Sequence, residues 1–217
     1  MRLVLATRNA HKLEELSELM RPIGLDPLPD QVELPPETGT TFAANALIKA
    51  RAAAAATGRP VVADDSGIEA AALRGAPGVW SARYAGDGAS DEANLARLLR
   101  EVPADGDRRA AYVCALAWVE PGGREAVVHG RCEGVLALEP RGSGGFGYDP
   151  AFLPDDAARA GDPGRRPTMA ELSPEEKGAI SHRGRAAREL VRVLAEAERE
   201  ARPGGPLRSL LGGRARR

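Results

Sequence analysis

Cysteine is scarce in this 217-residue chain: Cys114 and Cys132 are the two present. Both stand in runs that read as strands, so no disulfide framework exists, and each thiol is expected to serve as a small hydrophobe in a reducing compartment. Charge of one sign is missing too. Thirty Lys and Arg against 31 Asp and Glu leave a formal net charge of −1, which excludes a global basic field for nucleic acid or an anionic membrane and makes any polyanion site local. Long apolar runs are absent. The opening MRLVLATRNAHK holds one short apolar run, and no window approaches the roughly 18 apolar residues of a membrane span. A cytoplasmic protein with no nucleic-acid or membrane partner is the expectation. No GxxxxGK[ST] occurs, so a phosphate site here is not a P-loop, and no internal repeat is visible.

What is present suits a folded α/β domain. Hydrophobic residues make up 43% and charged residues 28%, enough for one core over residues 1–201. From Arg202 the sequence turns to RPGGPLRSLLGGRARR, and residues 202–217 read as a basic, disordered tail. Leu3 to Ala6 reads as a strand, followed by a helix with Leu13, Leu16, Leu19 and Met20 on one face. Ile23 to Leu28 reads as a second strand. GTTFAANALIKARAAAAATG reads as a helix capped by Thr40 or Thr41 and ended at Gly58. Val61 to Ala63 is a short strand, and after Gly67 the run IEAAAL is expected to return beside it. Ser90, Asp91 and Glu92 open another helix. Ala110 to Val119 is apolar on both alternating faces, a central strand covered on both sides. PGG at 121–123 turns it into Glu125 to Leu138. Ser173, Pro174 and Glu176 form a capping box, and a last helix spans about Ser181 to Glu200. Helices interspersed with hairpin-forming strands predict a mixed sheet flanked by helices.

Five segments carry candidate chemistry. In VVADDSG, a strand sends Asp64 and Asp65 to opposite faces, so one of them can face a cleft; a solvated turn or an Asx turn is the alternative. ATRNAHK joins a strand to a helix N-terminus, a natural anion seat in which Thr7, Asn9 and Lys12 can donate to phosphate oxygens. The alternative is that Asn9 caps the helix and Lys12 is solvated. Glu37 is either a loop acid or a carboxylate for Mg2+, and Lys49 taken alone is a surface lysine. In GSGGFGYDP the rings of Phe146 and Tyr148 are poorly placed for core packing and suit stacking against a planar base; a bulge or hinge is the competing reading. KGAISHRG sets Lys177, Ser181, His182 and Arg183 at a helix start, again suited to an anion or a polar base edge, although His182 can be a plain helix-start residue.

Taken together and in order, TRNAHK, ETGTTFAANALIKA, ADDSGIEAAALRGAPGVWSARYAG, GGFGYDPAF and TMAELSPEEKGAISHRG resemble the inosine triphosphate pyrophosphatase family, in particular its bacterial dITP/XTP pyrophosphatase branch, over residues 1 to about 195. That resemblance implies an elongated α/β fold with a cleft between two lobes, a homodimer, and Mg2+-dependent hydrolysis of nonstandard purine nucleoside triphosphates to monophosphate and pyrophosphate. It implies that the segment Thr7, Arg8, Asn9, Ala10, His11 and Lys12, helped by Lys49, binds the triphosphate. Glu37 and Asp65 would hold the metal, and Asp65 would also accept the proton of the attacking water. Ser66 would contact substrate and Asp64 support the site. Phe146, Gly147, Tyr148 and Asp149, with Lys177, His182 and Arg183, would form the base pocket. Ala44 departs from the acid that the family often carries there, while Asn45 is kept. A pyrophosphatase of another base preference, or a purine nucleotide-binding module without turnover, are the rival readings.

Overall fold

A computed structural model describes residues 1–157 and 166–200; the tail from residue 202 lies outside the described residues. In chain order the main elements are β1 (Arg2–Leu5), α1 (Ala10–Leu19), β2 (Gly24–Pro27), α2 (Phe42–Thr57), β3 (Val61–Ala70), α3 (Asp91–Glu101), β4 (Arg109–Val119), β5 (Glu125–Leu136), β6 (Phe152–Pro154), α4 (Pro174–Ile180) and α5 (His182–Glu200). Local signals explain most of their ends. The Thr41 side chain accepts from Ala44 N at the start of α2, and Gly58 closes that helix in the left-handed region at φ 63, a conformation that glycine adopts without steric penalty. Ser90 caps α3, and Ser173 with Glu176 forms a reciprocal capping box at α4. Each such cap is worth about 1 kcal/mol.

The six strands form one mixed sheet in the order β2-β1-β3-β4-β5-β6. β1 runs parallel to β2 and β3, whereas the β3, β4, β5 and β6 pairings are antiparallel. On one face α1 and α5 bury Leu3, Leu5, Val62, Cys114, Leu116 and Trp118. On the other, α2 covers Val4, Val61, Ala63, Ala115, Ala117 and Val119. β4 is therefore sandwiched, as its unbroken apolar run predicted. A third cluster joins the far half of β3 and β4 to α3 and to Tyr148 and Phe152.

Two sequence expectations change. IEAAAL does not fold back beside Val61–Ala63; β3 continues without a break from Val61 to Ala70, paired along its whole length with β4. Ladder bonding to a ten-residue partner stretch overrides the local turn preference of Asp, Ser and Gly. Asp64 and Asp65 thus lie mid-strand, not at a strand end. Gly67 is needed for a different reason: a Cβ there would lie 2.3 Å from Ser81 Oγ, on the short 3₁₀ helix Gly78–Arg83 that presses on β3. The second expectation concerns Tyr148, which packs in the third core cluster at 5% exposure.

Candidate active site

Because side chains alternate along β3, Asp64 shares a face with Val62, under α1 and α5, and Asp65 shares one with Ala63, under α2. Each carboxylate meets its own set of partners. Asp64 is buried, ion-paired through Oδ1 with Lys12 Nζ of α1, and accepts from Ser66 Oγ at 3.0 Å and Cys114 Sγ at 3.1 Å. Arg183 Nε of α5 lies 3.4 Å from Asp64 Oδ2. Burial opposes ionisation of Asp64, but the Lys12 ammonium and the Arg183 guanidinium overcome it and hold the carboxyl well below its ordinary range.

Asp65 lies under α2. Lys49 Nζ is 2.5 Å from Glu37 Oε1 and 3.6 Å from Asp65 Oδ1. Burial pushes the Asp65 carboxyl up to about 6; Lys49 pulls it down, and the Glu37 carboxylate raises it again. Lys49 in turn is held protonated, its burial outweighed by Asp65 and Glu37. Asp65 Oδ2 and Asn45 Nδ2 are buried and make no hydrogen bond of ordinary geometry among the described residues; Asn45 is near enough to lower the Asp65 pKa, and a ligand bonding either atom would relieve the cost of its burial. Two carboxylates, one with a free buried oxygen, fit a hard divalent cation, which takes one or two carboxylates and completes its shell with water and phosphate oxygens. No cluster of three or more His, Cys, Asp or Glu that could hold a metal is present among the described residues.

On the Asp64 side, Asn9, Lys12, Ser66, Phe146, Gly147, Tyr148, Asp149, Lys177, His182 and Arg183 line one cavity of about 100 Å³. Its cations are tightly placed. Lys177 Nζ donates to Glu15 Oε1 at 2.5 Å and Asp149 Oδ2 at 2.7 Å. Arg183 bonds Glu15 Oε2 at 2.5 Å and Ser66 Oγ at 3.0 Å. Phe146 stacks on His11 with centroids 5.1 Å apart, and Lys177 and Arg183 lie 5.1 and 5.4 Å from its centroid. Asp149 also accepts from Tyr112 OH at 2.9 Å and Phe146 N at 3.0 Å, fixing the glycine-rich loop. His182 is buried, stacked on Tyr112 at 4.5 Å, and held neutral by burial and the neighbouring Arg183. α5 can start so close to the sheet because β5 has Gly130, where a Cβ would lie 1.9 Å from His182 O.

The remaining sequence candidates sit nearby in different roles. Asn9 does cap α1, accepting from Lys12 N at 3.1 Å, and Thr7 Oγ1 accepts from Asn9 N at 3.1 Å. Ala10 is the first residue of α1. The Arg8 guanidinium is occupied by the carbonyls of Leu28, Pro29, Asp30 and Val32, so it fastens the segment after β2. Glu37, Lys49 and Asp65 do not line the cavity that holds Phe146; they form the second cluster across β3. Tyr148 turns its hydroxyl to Ser81 O at 2.8 Å. Sequence reasoning missed Glu15, Tyr112, Ser81, Asn45 and Asp91, whose Oδ2 accepts from Gly147 N at 2.8 Å. For Glu15 a signal existed: it stands three residues after Lys12 on the same helical face.

Fold and site together define a class: a mixed α/β protein in which a cation-rich, ring-lined cavity and the Glu37–Asp65 carboxylate pair lie on opposite faces of one central strand. The chain belongs to the Ham1 family, whose model matches residues 3–193. It is 53% identical over 208 residues to a dITP/XTP pyrophosphatase of Frankia alni, covering 90% of this chain and 98% of that one. A dITP/XTP pyrophosphatase of Streptomyces coelicolor is 48% identical, with 90% and 98% covered. A solved HAM1 protein of Coxiella burnetii superposes with a TM-score of 0.77 at 44% identity, over 90% of this chain and 99% of that one.

Proposed function

We propose that this protein is a nucleoside triphosphate pyrophosphatase that hydrolyses dITP, ITP, XTP and dXTP to the monophosphate and pyrophosphate, and so clears nonstandard purines from the nucleotide pool. The observation that carries the reading is Asp65: a buried carboxylate with its pKa lifted to about 6, beside Glu37 and Lys49, one residue from the side chain that anchors the cation-lined cavity. Relatives named dITP/XTP pyrophosphatase at 48–53% identity support it.

In this reading Thr7, Asn9, Lys12 and the amides of α1 seat the triphosphate, with Lys49 reaching it from α2. Glu37 and Asp65 would hold Mg2+, which supplies charge neutralisation at the phosphates. Asp65, ionised above about pH 6, orients water for in-line attack at the α-phosphorus and takes its proton. Phe146, backed by His11, offers an aromatic face to the base. The 6-keto edge of hypoxanthine or xanthine meets a donor of Lys177 or Arg183, whereas the 6-amino group of adenine sets donor against donor and leaves buried groups unpaired. Residues 1–201 act as one domain, the enzyme works as a homodimer, and its place is the cytoplasm.

The test is release of pyrophosphate and orthophosphate from ITP, XTP, GTP and ATP, with Mg2+ and with chelator. Metal-dependent pyrophosphate release favouring ITP and XTP is expected. Orthophosphate release, or tight binding without turnover, overturns the reaction.

A further inference from the structure

Arg83 combines a well-tied backbone with a loosely engaged side chain. It ends the 3₁₀ helix Gly78–Arg83. That helix is tied to β3 by Ser81 Oγ, which accepts from Ile68 N at 2.9 Å, and to the glycine-rich loop by Tyr148 OH, which donates to Ser81 O. α3 holds the flanking backbone, with Asn94 Nδ2 donating to Ala82 O at 3.2 Å and Asn94 Oδ1 accepting from Ala85 N at 2.7 Å. The guanidinium, by contrast, makes no hydrogen bond among the described residues. It lies 3.8 Å from Glu37 Oε2 and 4.6 Å over the ring of Trp80.

The Arg8 guanidinium is held by four backbone carbonyls, and that of Arg183 by Asp64, Glu15 and Ser66 Oγ. Trp80 is 56% exposed and fills no core; its ring restrains the Arg83 fork and leaves the N–H groups free. The charges point the same way. Around Asp65 the carboxylates Glu37 and Asp65 are matched by Lys49 and Arg83, a set of balanced charge. A triphosphate entering with a divalent cation on the two carboxylates brings net negative charge, satisfies Glu37 and frees Arg83, whose planar fork matches two phosphate oxygens.

We propose that Arg83 is a phosphate-binding residue that leaves Glu37 to bind the pyrophosphate portion of the substrate, from the face of β3 opposite Lys177 and Arg183. The inference rests on the function proposed above. Its test is calorimetric binding of pyrophosphate and of inosine monophosphate to wild type, Arg83→Gln and Arg83→Lys, with Ca2+ present and again in chelator, alongside kcat and KM for XTP. Arg83→Gln is expected to weaken pyrophosphate binding at least about tenfold, with kcat/KM for XTP falling in parallel and monophosphate binding unchanged. Arg83→Lys restores part of the loss. Equal pyrophosphate affinity in wild type and Arg83→Gln, or an equal loss for the monophosphate, overturns the assignment. Should Arg83→Gln fail to fold, Arg83→Lys carries the same comparison, and pyrophosphate affinity at the wild-type level in that variant counts against it. Wild type that neither binds nor releases pyrophosphate would instead defeat the underlying function.

Discussion

Asp64 and Asp65 are adjacent in the chain, are both buried, and meet opposite electrostatic surroundings. Asp64 faces α1 and α5, where Lys12 and Arg183 close on it and hold it ionised. Asp65 faces α2, where one ammonium is shared with Glu37 and one carboxylate oxygen has no partner. Burial is common to both; compensation separates them. A compensated carboxylate is a structural anchor that organises cations for a ligand, and an under-compensated one is reactive and open to metal or water. The strand period of two is what lets neighbouring residues take these separate duties.

Removing the reactive charge gives the largest expected effect. Asp65→Asn should lower the turnover of XTP by about 10²–10⁴-fold, the range for loss of a general base, while thermal unfolding of the metal-free protein occurs at an unchanged or higher temperature. Near-normal turnover would remove Asp65 from the chemistry. Asp64→Asn should reverse the pattern. It strands Lys12 and Arg183 beside a neutral group, and the loss of one partner of a buried pair costs about 3–5 kcal/mol, measurable by denaturant unfolding; stability at the wild-type level would contradict the anchor role.

The same contrast predicts opposite pH signatures. Asp65 has a folded pKa above its unfolded value, so the fold holds this proton more tightly; its contribution to stability is greatest in acid and declines as pH rises from about 4 through about 6. Activity runs the other way, with an acid limb in kcat/KM, because a protonated Asp65 can neither hold a metal nor take a proton from water. Asp64, with a depressed pKa, stabilises the fold above the ordinary carboxylate range and loses that contribution only in stronger acid. Lys49→Gln removes a charge that lowers the Asp65 pKa, so the acid limb should move to higher pH, and an unmoved limb would uncouple the two groups. The smallest effect is expected at Asp91. Asp91→Ala frees Gly147 N and should raise KM several-fold, on the order of one hydrogen bond, with Asp91→Asn restoring it through its remaining acceptor; equal KM in all three would show that the loop needs no such tether.

The sequence made visible what is encoded locally. Thr41 and Gly58 bound α2, Ser90 starts α3, Ser173 with Glu176 starts α4, and the doubly apolar β4 announced its place at the sheet centre. Among the site features, opposite orientation of Asp64 and Asp65 followed from strand geometry alone. What stayed hidden depends on contacts across long sequence separations. β3 runs through Gly67 because β4 pairs with it, and no turn residue in ADDSG reveals that partner. Tyr148 is drawn into the core by Ile68, Tyr112 and Phe152. Glu15 acquires its role because α4 and α5 deliver Lys177 and Arg183 to it from more than 160 residues away.

The central claim is that one strand carries a locked carboxylate and a titratable one. Carboxyl-carbon NMR titration of the metal-free protein, with Asp64 and Asp65 assigned through the two Asn variants, tests it most directly. The account predicts that Asp65 titrates near 6 while Asp64 stays ionised throughout the range in which the fold persists. Two carboxyls titrating together near the ordinary aspartate value, or Asp64 carrying the elevated pKa, would contradict it.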